Sequence, residues 1–465
     1  TQQETLFPYT TLFRSGRTWT LQATLTPNDA KAGQFFGGDV ALDGDTAVVG
    51  AVADDVNGFQ SGSVYVFTRS GTSWSQQAKL LPSSADIGDL FGESIALDGD
   101  TFIVGVNRYD GIGNDSGAAF VFARSGTSWS EQAKLLSNDQ PRAGDTFGWS
   151  VALDGDTAAV GARTKGIQND GGAYIFVRSG SSWSPQATIR PDTGKIGSQL
   201  GSGIALDRGT LVIGARNERS SLGPRVGVAY VYTRSGTTWT QQAKLLASDG
   251  AEGDEFGYSI ALDGDAVVIG ARHDDDGGTN SGSAYVFTRS AGNWSQQTKI
   301  TASDEAANDL FGFGVGFSED TVIVATRFAD AAYIYVPNEQ PTTTGISDVR
   351  VDEDSADTLV DLFPAFDDVE DSDANLDFTV ESNTNESLFS GTSINSTSGV
   401  LRLSYAADEF GSADITIRAT DSGDLFIEAT FTVTIAPVND APTFSAVNPP
   451  EVLEDAAVQQ ITNWA

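Results

Sequence analysis

The chain of 465 residues has no cysteine, no methionine and one histidine, His273. Without cysteine there is no disulfide framework and no thiolate chemistry, and the redox compartment cannot be read from thiols. One imidazole cannot build a multi-histidine metal site, and a catalytic role for it needs a positioned partner that the sequence does not identify, so His273 is read as a loop residue. Basic residues are scarce: 27 Lys and Arg face 63 Asp and Glu, a net charge of −36. Such a surface repels nucleic acid and anionic membranes and favours divalent cations. No apolar run approaches the ~18–20 residues of a membrane span. With no methionine at position 1, the chain is expected to be processed, cut or incomplete.

Glycine is plentiful, at 51 residues, and aromatics make up 10% of the chain, which describes a turn-rich protein with a real core. Trp19, Trp74, Trp129, Trp183, Trp239 and Trp294 are separated by 55, 55, 54, 56 and 55 residues. Phe36, Phe91, Phe147, Phe256 and Phe311, each followed by glycine, keep step, with Leu200 replacing Phe in the fourth unit. The unit from Phe256 to Ile300 breaks into four strand-like runs, YSIAL, AVVIGA, SAYVFT and WSQQTKI, bounded by Gly, Asp or Ser. In WSQQAKL, strict alternation places Trp74, Gln76, Ala78 and Leu80 on one face and Ser75, Gln77 and Lys79 on the other. Leu-Asp-Gly-Asp joins the first two runs, and an Asp-Gly pair suits a type I′ hairpin. Four antiparallel strands per repeat, at a period slightly above that of kelch, predict propeller blades.

The Phe-Gly and Gly-Ala pairs followed by SGSAYVF resemble the FG-GAP repeats of integrin α-subunit propellers, in the shorter bacterial version. The resemblance covers 16–337 and implies an all-β fold, a β-propeller of six or seven blades with ligand contacts on the loops of one face. The last unit lacks its fourth strand, while Trp19–Leu25 is a fourth strand without its other three. If it completes the last blade, the ring closes with six blades and removes exposed edges; a further unit upstream would make seven.

The opening stretch TLFPYTTLFRS, Thr5–Ser15, carries none of the repeat marks. All eleven residues resemble the in-frame translation of a common sequencing-adapter oligonucleotide, so 1–15 is excluded from fold reasoning, the alternative being a genuine apolar strand. Arg14 lies five residues before Trp19, as Arg69 does before Trp74, so Arg-Ser coincides with the native pattern. The true N-terminus and any signal peptide are then expected to be missing.

After Pro337 the repeats stop. Residues 338–345 have the composition of a linker, and 346–441 alternate short strands with acidic loops, the pattern of a β-sandwich. Glu454 follows Glu353 by 101 residues, so 442–465 reads as the start of a second copy. VNDAPTF and RATDSGD resemble bacterial cadherin-like repeats, whose linkers hold calcium between modules. That resemblance implies Glu353, Asp408, Glu409, Asp421, Asn439 and Asp440 as candidate calcium ligands. Pro437 and Ala441 depart from the linker pattern, and the arginine between the paired acids is absent, which implies fewer ligands and weaker binding. Calcium needs six to eight oxygens converging from several loops; the alternative is a solvated acidic surface.

In the propeller, the long calcium loop of integrins has shrunk to Asp-Gly-Asp at Asp43–Asp45, Asp98–Asp100, Asp154–Asp156 and Asp263–Asp265, too short to wrap an ion. The loop from His273 to Asn280 is better furnished, with Asp274, Asp276 and Asn280 as calcium candidates, and similar acids stand at Asp54, Asp55, Asp110 and Asp115. The repeated aromatics are read as core. The sequons at Asn293, Asn385 and Asn395 are read as incidental. Three functions follow as expectations. The leading one is a secreted or cell-surface adhesion protein, whose propeller binds a protein or glycan and whose calcium-stiffened modules form a stalk, without catalysis. The others are a propeller enzyme acting on polysaccharide and a structural surface protein without a specific ligand.

Overall fold

The computed structural model describes residues 9–439 apart from 16–17, 85, 192–195, 220–222, 319–320, 328–330 and 370, with backbone alone for 9–15 and 18–21. Residues 5–8 of the adapter-like segment, Asp440 and the second acidic copy lie outside the described residues. The chain divides into two compact units, Thr1–Pro337 and Asn338–Ala465.

In the first unit, every period of the sequence becomes one antiparallel blade. Blade one runs Phe36–Asp43, Thr46–Ala51, Ser63–Ser70 and Ser73–Leu80, paired in chain order. Four more four-stranded blades follow as far as Ile300, and the last has three strands, Gly314–Ser318, Thr321–Ala325 and Ala332–Tyr335. The first strands of successive blades lie side by side. The second strand of each full blade is buried almost throughout, as its run of small and β-branched residues requires.

Two glycines explain the motif. A Cβ on Gly50 would meet the Gly92 carbonyl oxygen at 2.0 Å, and one on Gly105 would meet that of Gly148 at 2.0 Å. The Gly-Ala glycine of one blade thus lies against the Phe-Gly glycine of the next, with no room for a side chain. The glycine opening each third strand also bridges to the Phe of the next blade, as Gly62 does to Phe91 and Gly227 to Phe256. That Phe is wholly buried and meets third-strand aromatics edge-on, Phe147 with Tyr174 at 5.1 Å and Phe256 with Tyr285 at 5.5 Å.

Three details differ from the sequence expectation. The hairpin at Asp43–Thr46 has positive φ at Gly44 and not at Asp45, the type II′ pattern rather than I′. Blade four, with Arg208 and Gly209 both at positive φ, has the I′ pattern. The fourth strand does not alternate strictly, because register shifts by one residue at Gln22, Gln77, Gln132, Gln186, Gln242 and Gln297. These are β-bulges, which re-aim a side chain. The bulged Gln accepts a hydrogen bond from the indole of the next blade: Trp74 to Gln22, Trp129 to Gln77, Trp183 to Gln132, Trp239 to Gln186 and Trp294 to Gln242, at 2.7–3.1 Å.

The third difference is at the start of the chain. Thr18–Leu25 pairs with Tyr9–Ser15, not with Ala332–Tyr335, so the described residues do not form the strand exchange across the last blade, one of the two closures that the sequence leaves open. Arg14 opposes Trp19 as Arg69 opposes Trp74, so the segment excluded from fold reasoning takes a third-strand place.

The second unit is a β-sandwich. One sheet orders Val349–Asp352, Phe426–Ala436, Gly411–Thr420 and Asp377–Asn383; the other orders Thr358–Asp361, Val400–Tyr405 and Phe389–Asn395. Burial along Gly411–Thr420 alternates with period two, and Leu362, Phe378, Leu401, Ile415 and Phe431 fill the space between the sheets. The supposed linker belongs to this unit. Thr342–Thr343 pairs with Phe366–Asp367, and Asn338 donates to Asp421.

Candidate functional site

The acids that the sequence singles out in the propeller are held by the fold itself. The first Asp of the Asp-Gly-Asp turns in blades one and two accepts the turn N–H of the following blade, Gly99 on Asp43 at 2.6 Å and Gly155 on Asp98, and Asp207 of the Asp-Arg-Gly turn in blade four accepts from Gly264 at 2.7 Å. The second takes the Nε–H of its own blade's arginine, Arg69 on Asp45 and Arg289 on Asp265, at 2.7 and 2.6 Å. The same arginines lie over Trp74 and Trp294, at 5.6 and 5.2 Å from the ring centres. Those acids are framework, as the short turn implies.

The loop His273–Asn280 separates its candidates. Asp274 is buried and Asp276 exposed, and together with Asp249 they form a three-carboxylate group with the donor set and spacing to hold a cation. The cation there is Lys299. Its ammonium donates to Asp249 at 2.8 Å, to Asp274 at 3.1 Å and to Asp276. Burial works against the charge on Lys299, but hydrogen bonds to Asp249, Asp276 and Asp274 outweigh it and hold its pKa above the usual lysine range. Burial likewise opposes ionisation of Asp249, yet Lys299 and Tyr285 carry its pKa below normal. Asn280 does not join them: its N–H donates to the Asp275 carboxylate and its side-chain amide donates to Asn308. The arrangement recurs, with Lys79 on Asp29 and Asp54 at 2.6 and 2.7 Å and Lys244 on Glu218 at 3.0 Å. Asp55 and Asp110 cap Gln60 and Asp115 in the same way that Asp275 caps Asn280.

The sandwich candidates fall at opposite ends of its longest strand, Phe426–Ala436, which 11 residues extend to ~36 Å. Asp421, beside its start, is buried; it accepts N–H groups of Gly423 and Leu425 at 2.8 and 2.9 Å and the Asn338 amide at 2.9 Å. Glu353, beside its end, is buried and accepts the Val438 N–H. Asp408 and Glu409 precede Gly411, which opposes Ile435, and with Asn439 they are exposed at the Glu353 end. Among the described residues no three acids of the sandwich have carboxylate oxygens all within 4.8 Å of one another.

The site that sequence reading missed is basic. Where the second strand ends, blades three to six carry Arg163, Arg216, Arg272 and Arg327; blades one and two carry Val52 and Asn107. Two residues after each Phe-Gly phenylalanine or its Leu200 equivalent stand Gly38, Glu93, Trp149, Ser202, Tyr258 and Phe313. These two sets meet. Arg163 stacks on Trp149 with its guanidinium carbon 3.3 Å from the ring centre, Arg272 on Tyr258 at 3.9 Å and Arg327 on Phe313 at 4.9 Å. Arg216 lies 5.4 Å from Tyr258 of the next blade. Glu255 accepts from Arg272 at 2.8 Å and Arg216 at 3.3 Å, with His273 Nδ1 at 3.9 Å. Glu93 is held by Asn107 at 2.7 Å. Burial, then the charge of Arg216, pushes Arg163 down to about 10. Burial lowers His273 against the opposing pull of Glu255, and Arg272 and Arg216 add to the fall, which favours the neutral imidazole. The signal was present in the sequence as four consecutive repeats with arginine after Gly-Ala or its equivalent, but attention to acids and to invariant positions passed over it.

Comparison with curated proteins finds no match. A crystal structure from Bacteroides uniformis, described as a 6-phosphogluconolactonase, is similar over 84% of this chain and 98% of its own, at 12% identity and a TM-score of 0.42; so distant a likeness carries no argument. The FG-GAP repeat matches residues 19–67, 74–122, 129–176, 239–287 and 294–336, together more than half of the chain. The stretch passed over holds blade four, where Leu200 replaces Phe and Arg208-Gly209 replaces Gly-Asp, yet its four strands pair as the others do. With the motif's glycines and phenylalanines accounted for by contact, the chain belongs to the FG-GAP repeat family.

Proposed function

We propose that this chain is an extracellular recognition protein of the adhesion kind, in which the propeller binds a protein or glycan and the sandwich modules act as a stalk stiffened by calcium. The observation that carries the reading is the arginine–aromatic rim of blades three to six. It is built from positions that vary between blades within a repeated framework, and it gathers guanidinium groups in a chain whose net charge is −36. Binding residues characteristically sit at such variable loop positions on a rigid scaffold. Calcium in the stalk would draw on the acids at the Glu353 end of the sandwich, Glu353, Asp408 and Glu409, with Asn439 and the next residue in the chain, Asp440.

Saturable binding of the labelled chain to cells or to a glycan array tests recognition. Its complete absence would favour a structural surface protein. Melting in EDTA and in millimolar calcium tests the stalk: an ion at a hundredfold excess over its Kd stabilises by about 2.7 kcal/mol. That gain should vanish in Asp440→Ala, and identical melts would dismiss calcium.

A second reading has a specific observation behind it. Glu255, His273, Arg216, Arg272 and Tyr258 converge, and a propeller lyase or hydrolase would use a set of that kind. Depolymerisation of a polysaccharide that is lost in both His273→Ala and Glu255→Gln would establish catalysis over recognition.

A further inference from the structure

At the junctions between successive blades, one apolar face covers another. Val48, Val64 and Val66 of blade one cluster with Ile95 and Leu97 on the first strand of blade two, and Val268 and Val286 of blade five with Val315 and Phe317 of blade six. Ile95, Val151 and Ile204 are 7% exposed in consequence, and Leu153 and Leu206 are 8% and 9% exposed. Blade one carries Val40 and Leu42 at the same positions, and these are 50% and 58% exposed. Its Phe36 is only half-buried, where Phe91, Phe147, Phe256 and Phe311 are wholly buried. The first-strand face of blade one is therefore open.

The outgoing face of blade six is the obvious mate, and its sequence rules it out. At the other junctions a second-strand glycine lies against the Phe-Gly backbone of the next blade, or its Leu-Gly equivalent. A Cβ on Gly50, Gly105, Gly161, Gly214 or Gly270 would stand 1.9–2.4 Å from that carbonyl oxygen. Blade six has Ala325 there, paired with Gly314 as Gly105 is with Ser94. Ser318 likewise stands where Asp43 and Asp207 accept the turn N–H of the next blade. Blade six ends the series, and its Ile323 is 36% exposed where Val48, Ile103, Val212 and Val268 are wholly buried.

Half of what blade one needs is already beside it. Gln22 of Thr18–Leu25 accepts the Trp74 indole at 3.1 Å, the bond that joins Trp129 to Gln77 at the next junction. Thr18–Leu25 pairs with Tyr9–Ser15 in a two-stranded sheet, so among the described residues the other edge of Tyr9–Ser15 has no strand on it. A third and a fourth strand are thus in place, without a first and a second. An open strand edge with an apolar face suits β-augmentation, in which main-chain bonds give affinity and side-chain packing gives specificity.

We propose that the open face of blade one is a docking site for the first two strands of an FG-GAP blade, delivered as a β-hairpin that adds to the edge of Tyr9–Ser15 and covers Val40 and Leu42. The occupant is a free half-blade and not a second copy of this chain, whose blades one to five already have a following neighbour and whose sixth carries the Ala325 methyl. The site is independent of the arginine rim, since it uses none of the rim residues.

The experiment adds a labelled synthetic peptide with the sequence of 256–271, FGYSIALDGDAVVIGA, to the full chain, and follows fluorescence anisotropy and the melting temperature. Saturable one-to-one binding and a higher melting temperature are expected. Gly270→Ala in the peptide should weaken binding about tenfold or more, because its methyl overpacks the junction. Val40→Asp combined with Leu42→Asp in the chain should abolish binding while the chain alone melts as before, both side chains being exposed. Leu359→Asp, on an exposed face of the sandwich, should change nothing. Equal binding to the wild type and to the Val40→Asp, Leu42→Asp chain would overturn the site, as would equal binding of the two peptides. So would a wild-type chain that takes up no peptide: a monomer would point to closure on blade six, and a dimer that the Asp variant dissociates would point to a second copy on this face. If binding to cells or a glycan array persists in these cases, the recognition reading stands and this site alone falls.

Discussion

Lys299 shows how one side chain decides whether a cluster is a metal site. Three carboxylates surround it, and a bound ion would have to displace an ammonium tethered to the same blade. Lys299→Ala leaves the buried Asp274 without its cation, and losing one partner of a buried pair costs about 3–5 kcal/mol, here reduced by the partial exposure of the cluster to roughly 2–3. The variant should melt earlier in EDTA and recover with millimolar calcium, whereas the wild-type propeller should show no such recovery; differential scanning calorimetry checks both. Asp89 and Asp254 act in the other direction. Both are buried, and burial, with neighbouring acids added, pushes each up to about 6 from 3.8. Between those values the folded state binds more protons than the unfolded one, so stability falls as pH rises through that window. The protein should therefore melt higher at pH 5 than at pH 7, and Asp254→Asn should shrink that difference; an unchanged difference would show that the pH response lies elsewhere.

Within the blade, the strands, hairpins and blade boundaries were legible because they follow local periodicity: alternation, Asp-Gly turns and a Trp every 54–56 residues. The bulge was not, because an extra residue opposite Val66–Phe67 leaves no trace in the hydrophobic pattern of WSQQAKL. Yet it gives Gln77 its task. Gln77→Ala strands the buried Trp129 Nε1–H, at an expected cost of about 1–3 kcal/mol by urea unfolding. The glycine pairs were legible as a motif, but their cause is a contact between blades that one unit cannot display. Gly105→Ala drives a Cβ into the Gly148 carbonyl at 2.0 Å and should destabilise by more than about 4 kcal/mol, to the point of insoluble expression. The arginine rim was legible in letters only. Its meaning lies in the meeting of Arg163 with Trp149, which are 14 residues apart in sequence and stacked in space.

For the molecule as a whole, composition announced the change of architecture at Pro337, and the two units divide there. It did not announce that Asn338 and Thr342–Thr343 belong to the sandwich, since short polar segments read as linkers whether or not they pair. The charge of −36 was plain from the start. Self-repulsion at that charge opposes compactness, while the exposed Arg–Asp bridges such as Arg69–Asp45 contribute little individually. Screening should therefore relieve more repulsion than it removes attraction. Raising sodium chloride from ~0.01 M to ~0.15 M shortens the Debye length from ~30 to ~8 Å and should raise the melting temperature; a fall would mean that the Arg–Asp bridges dominate.

The indole-to-glutamine bonds all point one way along the chain, from each blade to the one before it, and the glycine–phenylalanine bridges join the same neighbours. No blade needs to know its number, only that its neighbour keeps the same phase. Gene duplication of one whole period would hand every new neighbour the contacts it already has, whereas an insertion of a few residues at a blade junction would put bulge and indole out of phase. A scaffold built this way can gain or lose blades without being redesigned, and selection is then free to act on the few rim positions where the blades differ.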